Sequence, residues 1–401
     1  MRRSRVASVS TVIALGAICL PLLAGCSSTS KSLPKLVPVK TQQAELKASD
    51  LIASDTFGVS VDISGTTAVV GTSGTSYVGR AYVFTKSASR WAKVAELKGS
   101  DTVAQDAFGS SVAISGNTIV VGAFNHANYA GRAYVFSKTT SGWKQVAELK
   151  GSDTVADDSF GWSVAVSGPT VFVGAVGHSK AAGRVYVFTD IAGDWSQTAE
   201  LAASDAAAKS AFGTSVAVSG TNAVVGAEGV AKGAGAAYFF ADSDDGWQQV
   251  AEVKGSDTAA GDNFGTSVAI SGTTAAIGAY GHADNAGSAY VFSRKSGIWT
   301  QVAELKAAGL AAEDFSGIST AVSSSTVLVG ADGHAKNAGR VFEFTRTSSG
   351  WKEAAVLKGS DTVAGDSLGV SVALSGTTAV VGADDRAQHA GRAYVFSVGA
   401  S

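Results

Sequence analysis

Residues 264 to 306 read Phe264-Gly-Thr-Ser-Val-Ala-Ile-Ser-Gly272, then Thr273-Thr-Ala-Ala-Ile-Gly-Ala279, a loop, Ala286-Gly-Ser-Ala-Tyr-Val-Phe292, a turn, and Trp299 leading to Val302-Ala-Glu-Leu-Lys306. The phrase returns along almost the whole chain. Its leading aromatic recurs at Phe57, Phe108, Phe160, Phe212, Phe264 and Phe315, and Leu368 takes the slot a seventh time. The step is about 52 residues, a period that marks a repeat architecture and outweighs any local signal.

Each unit holds four apolar runs. From Phe57 to Ser64 the pattern alternates, with Val59, Val61 and Ile63 on one side and Ser60, Asp62 and Ser64 on the other, as a half-buried strand does. The run to Gly71 is nearly all Ala and Val, as in a strand covered on both faces. Ala81-Tyr-Val-Phe84 follows, and Trp91 to Lys98 mixes polar and apolar residues as an edge strand would. Four short strands per unit, seven times over, predict an all-β protein: a seven-bladed β-propeller of four-stranded antiparallel blades.

The ends of the array support closure. Trp91, Trp143, Trp195, Trp247, Trp299 and Trp351 open the fourth strands, but the seventh unit stops after Phe396 without one. Gln43-Ala44-Glu45-Leu46-Lys47 repeats the missing phrase ahead of the first Phe-Gly. This N-terminal strand is therefore expected to join the last blade and close the ring, so that residues 43 to 401 form the propeller and no long sheet edge stays free.

Residues 1 to 25 stand apart. Arg2, Arg3 and Arg5 precede an apolar run from Val12 to Leu23, too short to span a bilayer, and Leu23-Ala24-Gly25-Cys26 follows. The tetrapeptide resembles the bacterial lipobox, which implies cleavage of a lipoprotein signal peptide before Cys26 and acylation, palmitate included, of that cysteine. Several acyl chains on one residue would anchor the protein to the membrane. Residues 26 to 42, with Lys31, Lys35 and Lys40 and two prolines, read as a lipidated cysteine and flexible tether. The resemblance places the protein in the bacterial cell envelope, outside the cytoplasmic membrane. With Cys19 lost and Cys26 lipidated, no disulfide is expected.

The composition agrees with short strands and tight turns: Gly 48, Pro 4 and 45% apolar residues in 401. A formal charge of -2, made more acidic by loss of the leader's arginines, argues against a nucleic-acid partner.

Phe-Gly-x-Ser-Val-Ala followed by Val-Val-Gly-Ala resembles the FG-GAP repeat, known from the propeller of integrin α subunits and from bacterial surface proteins. The match is most faithful at Phe108-Gly109, Phe160-Gly161, Phe212-Gly213 and Phe264-Gly265, and weaker at Phe315-Ser316 and Leu368-Gly369. The resemblance implies an adhesion or interaction module. Calcium-binding members carry an Asp-rich loop between the first two strands; here that link is Ser271-Gly272-Thr273-Thr274, so neither calcium nor another cofactor is expected.

Strand direction sorts the loops. Short one-to-two and three-to-four links share one face, and long two-to-three and four-to-one links share the other, where binding groups usually sit. His126, His178, His282 and His334 lie in the two-to-three loops, with Thr75, Val230 and Arg386 in the same slot elsewhere and His389 slightly further on. Equivalent positions of neighbouring blades should stand roughly 10 Å apart, too far for histidines of different blades to share an ion, and no metal site is expected. The four-to-one loops carry Asp50, Asp101, Asp153, Asp205, Asp257 and Asp361, and further on Asp106, Asp158, Asp262, Asp314 and Asp366. Recurrence in most blades favours a turn role over catalysis. The possible ligand face is His126, His178, His282 and His334 with Asp106, Asp158, Asp262 and Asp366. Arg80, Arg132, Arg184, Arg340 and Arg392 open third strands and are expected to pair with the loop aspartates. Trp162 reads as core packing.

The function expected on these grounds is a non-enzymatic, surface-anchored, monomeric module that meets an extracellular protein or glycan. The alternatives are an extracytoplasmic hydrolase or lyase on the same scaffold, or a purely structural envelope component.

Overall fold

In the computed structural model, residues 37–74 and 78–399 are described; the leader, Cys26 and the first part of the tether lie outside them. Seven sheets follow one another, each built on four antiparallel strands that are consecutive in sequence in every blade but the seventh. Blade two is typical: Ser111–Ser115, Thr118–Ala123, Arg132–Thr139 and Gly142–Leu149, in that order from the centre outward. Ile119, Val120 and Val121 are sealed on both faces, as the unbroken apolar run required. The fourth strand alternates half-buried with exposed residues, and a bulge near Val146 breaks its outer edge. Bulges stand at the same place in blades one, three, four, five and six and interrupt the ladder of the outer strand.

The core lies between sheets. Phe108, Tyr134 and Phe136 of blade two pack with Val69, Val83 and Leu97 of blade one, and every later pair of neighbours repeats the arrangement. The slot of the leading aromatic is held in blade six by Ser316, which bridges to Gly287, and not by Phe315, which stands one residue earlier against Tyr280. The Ser three residues after each occupant of that slot donates its hydroxyl to the carbonyl of the glycine that follows the slot one blade further on. These bonds, Ser60 to Gly109 through Ser371 to Gly58, are 2.6 to 2.8 Å long and complete the circuit.

Closure is as the repeat predicts. Ala44–Leu46 pairs antiparallel with Arg392–Ser397, Ala44 opposite Val395, as the outer strand of blade seven. Phe57 bridges to Gly391, whose φ of +79° and lack of a Cβ let the two backbones touch; a side chain there would be driven into the Phe57 carbonyl oxygen.

Residues 39 to 41, read from the sequence as part of a flexible tether, are instead a strand. Val39–Thr41 is a fifth strand of blade six, parallel to Gly350–Lys358 with Lys40 opposite Leu357. The Gln42 side chain holds the backbone and hydroxyl of Ser360 at 2.7 Å, as Gln145 holds Ser100 in blade two. The physical reason lies at Glu343, which is buried where other blades carry Val or Phe. Its carboxylate needs a cation and a donor, and takes Lys40 Nζ and the Gly399 N–H, each at 2.8 Å.

Candidate functional site

The long-loop face is built from one recurring staple. In blades two to seven the two-to-three loop turns through residues in the left-handed region, such as Ala127, Asn128 and Tyr129 at φ of 53° to 63°; Thr75, in the same slot of blade one, lies outside the described residues. Just before that turn, His126 Nδ1 meets Asp106 Oδ2 at 2.8 Å. His178 pairs with Asp158 at 3.0 Å, His282 with Asp262 at 2.8 Å and His334 with Asp314 at 2.8 Å. In blade seven, Arg386 replaces the histidine and holds both Asp366 and Asp361. Each inner aspartate also accepts the N–H three residues before it, Val103 in the case of Asp106, so the turn reading of these carboxylates holds. The structure thus pairs the candidate ligand residues with one another inside single blades, where their side chains are mostly covered, rather than aiming them at solvent.

The outer aspartates do something else. Asp101, Asp153, Asp205 and Asp257 accept the hydroxyls of Tyr134, Tyr186, Tyr238 and Tyr290 at 2.6 to 2.8 Å. Burial, and then these carboxylates, push the phenols well above their usual range. Blade six has lost both partners at once, with Phe342 and Gly309 in their places.

The arginines do not follow the expected pairing. Of the five third-strand arginines, only Arg80 reaches a loop aspartate, Asp50 at 2.8 Å. Arg132, Arg184 and Arg392 instead meet Glu148, Glu200 and Glu45, at 2.7 to 2.8 Å, on the neighbouring fourth strand. Register explains it: Glu148 stands opposite Tyr134, two residues along from Arg132 on the same face, which is a diagonal neighbour. Arg340 faces Val356 where the others face Glu, and burial lowers its pKa. The glutamate of the Ala-Glu-Leu phrase was the signal available in the sequence.

At the centre, the first strands surround a channel. Its mouth on the long-loop face is a cavity of about 220 Å³ ringed by the residue after each Phe-Gly, including Val59, Thr214, Thr266 and Val370. Trp162 belongs to this ring and, contrary to the core reading, is 41% exposed, resting edge-on against Phe124 at 4.8 Å. The next position outward carries Glu228, Tyr280, Asp332 and Asp384 in blades four to seven. Burial raises Asp332 to about 6; burial and the neighbouring Asp385 raise Asp384 to about 7. Deeper in, Asp62 stands alone in a ring whose other members are Ala113, Ala165, Ala217, Ala269, Ala321 and Ala373. Its oxygens accept the N–H groups of Ile63 and Ile114, while burial raises its pKa to about 6.

A closed ring of seven four-stranded sheets, with its long loops stapled onto one face, has the build of a propeller interaction module. The chain belongs to the FG-GAP repeat family, which it matches over residues 41–84, 91–136, 143–188, 195–240, 247–292, 299–344 and 351–396. Each matched stretch starts on the outer strand of one blade and ends on the third strand of the next, so the sequence unit and the blade are offset by one strand. Comparison with curated proteins returned no match. Among solved structures, the chain is similar to one in the crystal structure of a mitotic checkpoint complex, with a TM-score of 0.58 and 15% identity over 96% of this chain and 99% of that one. At that identity the likeness is one of fold.

Proposed function

We propose that this protein is a non-enzymatic propeller, lipid-anchored in the bacterial envelope, that receives a protein or glycan on its long-loop face at the channel mouth. The observation that carries the reading is Trp162. An indole left 41% exposed at the rim of a rigid channel, buttressed by Phe124, offers a flat apolar surface of the kind that sugar rings and aromatic side chains stack on. The hydroxyl oxygens of Thr214 and Thr266 in the same ring can accept hydrogen bonds. The anchor rests on the sequence alone, through Cys26 and the leader before it. Calcium plays no part at the one-to-two links, none of which carries a carboxylate.

The test is a glycan array together with capture from envelope extract, comparing the wild-type chain with Trp162→Ala. Specific capture by the wild type that Trp162→Ala loses, at unchanged melting temperature, supports the reading. Turnover of a polysaccharide or ester panel would favour a hydrolase or lyase instead, and silence in every assay a structural component. The anchor is tested separately: Cys26→Ser should abolish palmitate labelling and release the protein from the membrane fraction.

A further inference from the structure

Blade five differs from the other histidine-bearing blades in what surrounds the far nitrogen of its staple. Asp262, only 8% exposed, accepts both the Ala259 N–H and His282 Nδ1. A carboxylate so placed takes the protonated nitrogen and leaves Nε2 with its lone pair. That lone pair faces Asp257 Oδ2 at 3.7 Å and Glu304 Oε1 at 3.9 Å. All three groups offer ligand atoms within 4.8 Å of one another. The separations exceed hydrogen-bond length and lie a few tenths of an ångström beyond the roughly 3.4 Å that divides ligand atoms around a tetrahedral zinc ion.

Two of the prospective ligands are held from behind: Asp262 fixes His282 through Nδ1, and the Tyr290 hydroxyl donates to Asp257 Oδ1 at 2.8 Å. The Ser288 hydroxyl holds Glu304 at the facing oxygen itself, Oε1, at 3.1 Å, a neutral donor whose hydrogen can turn away when an ion binds. Such outer partners orient the ligands, and the carboxylate on Nδ1 also makes the imidazole a stronger donor to metal.

Blade three supplies an internal comparison. Asp153, His178 and Glu200 are grouped in the same way, but Arg184 Nε donates to Glu200 Oε1 at 2.8 Å and brings a fixed cation to the carboxylate. Ser288 replaces that arginine in blade five. The neighbouring base there is Lys306, 2.7 Å from Glu304 Oε1 and 3.8 Å from Asp257 Oδ2, with its side chain 57% exposed. An ammonium on a flexible, solvated stem swings away at little cost.

We propose that His282, Asp257 and Glu304 bind one divalent ion of the zinc class, with water completing the shell and Lys306 as a built-in competitor. His282 and Glu304 belong to blade five and Asp257 to the loop that leads into it, so the spacing between equivalent positions of neighbouring blades does not bear on this site.

Zinc binding to the chelator-stripped full chain is measured by equilibrium dialysis, and cobalt is used as a spectroscopic probe of ligand number. The expected result is one tightly held ion per chain and a visible cobalt spectrum of four or five ligands. His282→Gln and Glu304→Gln should each weaken binding at least about ten-fold, Ser288→Arg should do the same, and Lys306→Ala should tighten it several-fold. His178→Gln should leave it unchanged. Circular dichroism checks each fold, and Glu304→Gln, on a partly exposed edge strand, serves where His282→Gln loosens its loop. Failure of the wild type to retain zinc, or retention unaltered in both His282→Gln and Glu304→Gln, would overturn the proposal.

Discussion

The ammonium of Lys40 lies 2.8 Å from the carboxylate of Glu343, a residue with no solvent exposure that stands where other third strands place Val83, Val135 or Phe239. One misfit side chain in blade six thus fastens the strand that precedes the ring, and the Gly399 N–H on the same carboxylate fastens its far end.

Removing one partner should cost more than removing both. Lys40→Ala leaves a buried carboxylate without its cation. Because Lys40 is partly exposed, with 32% of its side chain open, we expect a loss of about 2 kcal/mol rather than the 3 to 5 of a wholly enclosed pair. Adding Glu343→Val restores the repeat's usual residue and should recover most of that loss while leaving Val39–Thr41 open to protease. Denaturant titration of both single variants and the double variant measures the coupling; additive losses would contradict it.

Two glycines with positive φ should respond differently to Ala. Gly58, at φ +98°, has the Arg392 carbonyl where its Cβ would go, whereas Gly65, at φ +60°, has open space. Gly65→Ala should cost about 1 kcal/mol, the left-handed penalty alone. Gly58→Ala adds a backbone collision at the closure of the ring and should lower stability by at least twice that. Thermal melts of the two variants decide the matter.

Stability should depend on pH through Asp62, Asp332 and Asp384. Their folded pKa values of about 6, 6 and 7 lie above the ordinary carboxylate value, so the unfolded chain sheds these protons first. Their contribution is then complete at pH below about 4 and is lost as pH rises through 6 to 7, so these groups favour the fold at pH 5 over pH 8. The Ile63 and Ile114 N–H groups use different oxygens of Asp62, so Asp62→Asn keeps one acceptor, loses the other and removes the titration. Its stability relative to wild type should shift in its favour by about 1 to 2 kcal/mol between pH 4 and pH 8. Chemical denaturation across that range would show a flat difference if the idea is wrong.

The histidine staples should matter one blade at a time. His126→Ala strands Asp106, which is 5% exposed, with the Val103 N–H as its remaining donor. A loss of about 1 to 3 kcal/mol is expected. Hydrogen exchange should rise in residues 125 to 131 and in the entry to blade three, where Ser159 and Phe160 donate to Tyr129 and Ala130. An increase spread evenly over the ring would count against so local a role.

Blade number, strand order and closure were legible because each is written seven times, and a repeated phrase averages away local ambiguity. Departures written once were not. Val39–Thr41 carries no repeat phrase, and its only trace was Glu343 in an apolar slot with Lys40 far away in sequence. The arginine partners were misread because loop aspartates and strand glutamates are equally near in the chain, and only the diagonal register separates them. Trp162 looked like core beside Phe160-Gly161, yet strand alternation carries the residue after each Phe-Gly to the channel mouth. The groups of the candidate ion site were all visible, but their convergence depends on Tyr290 and Ser288 aiming two carboxylates at one imidazole.

The serine-to-carbonyl belt has no first member, since Ser371 bonds Gly58 as Ser60 bonds Gly109. The break in the ring, between Ser397 and Ala44, sits where the other blades have a three-to-four turn. Topologically, then, the molecule is a circle cut at one of seven interchangeable hairpins. Circular permutants that splice this cut and open another, such as Thr140-Ser141, should thread the same ring, with the strand now held by Glu343 set free as the cost of moving the seam.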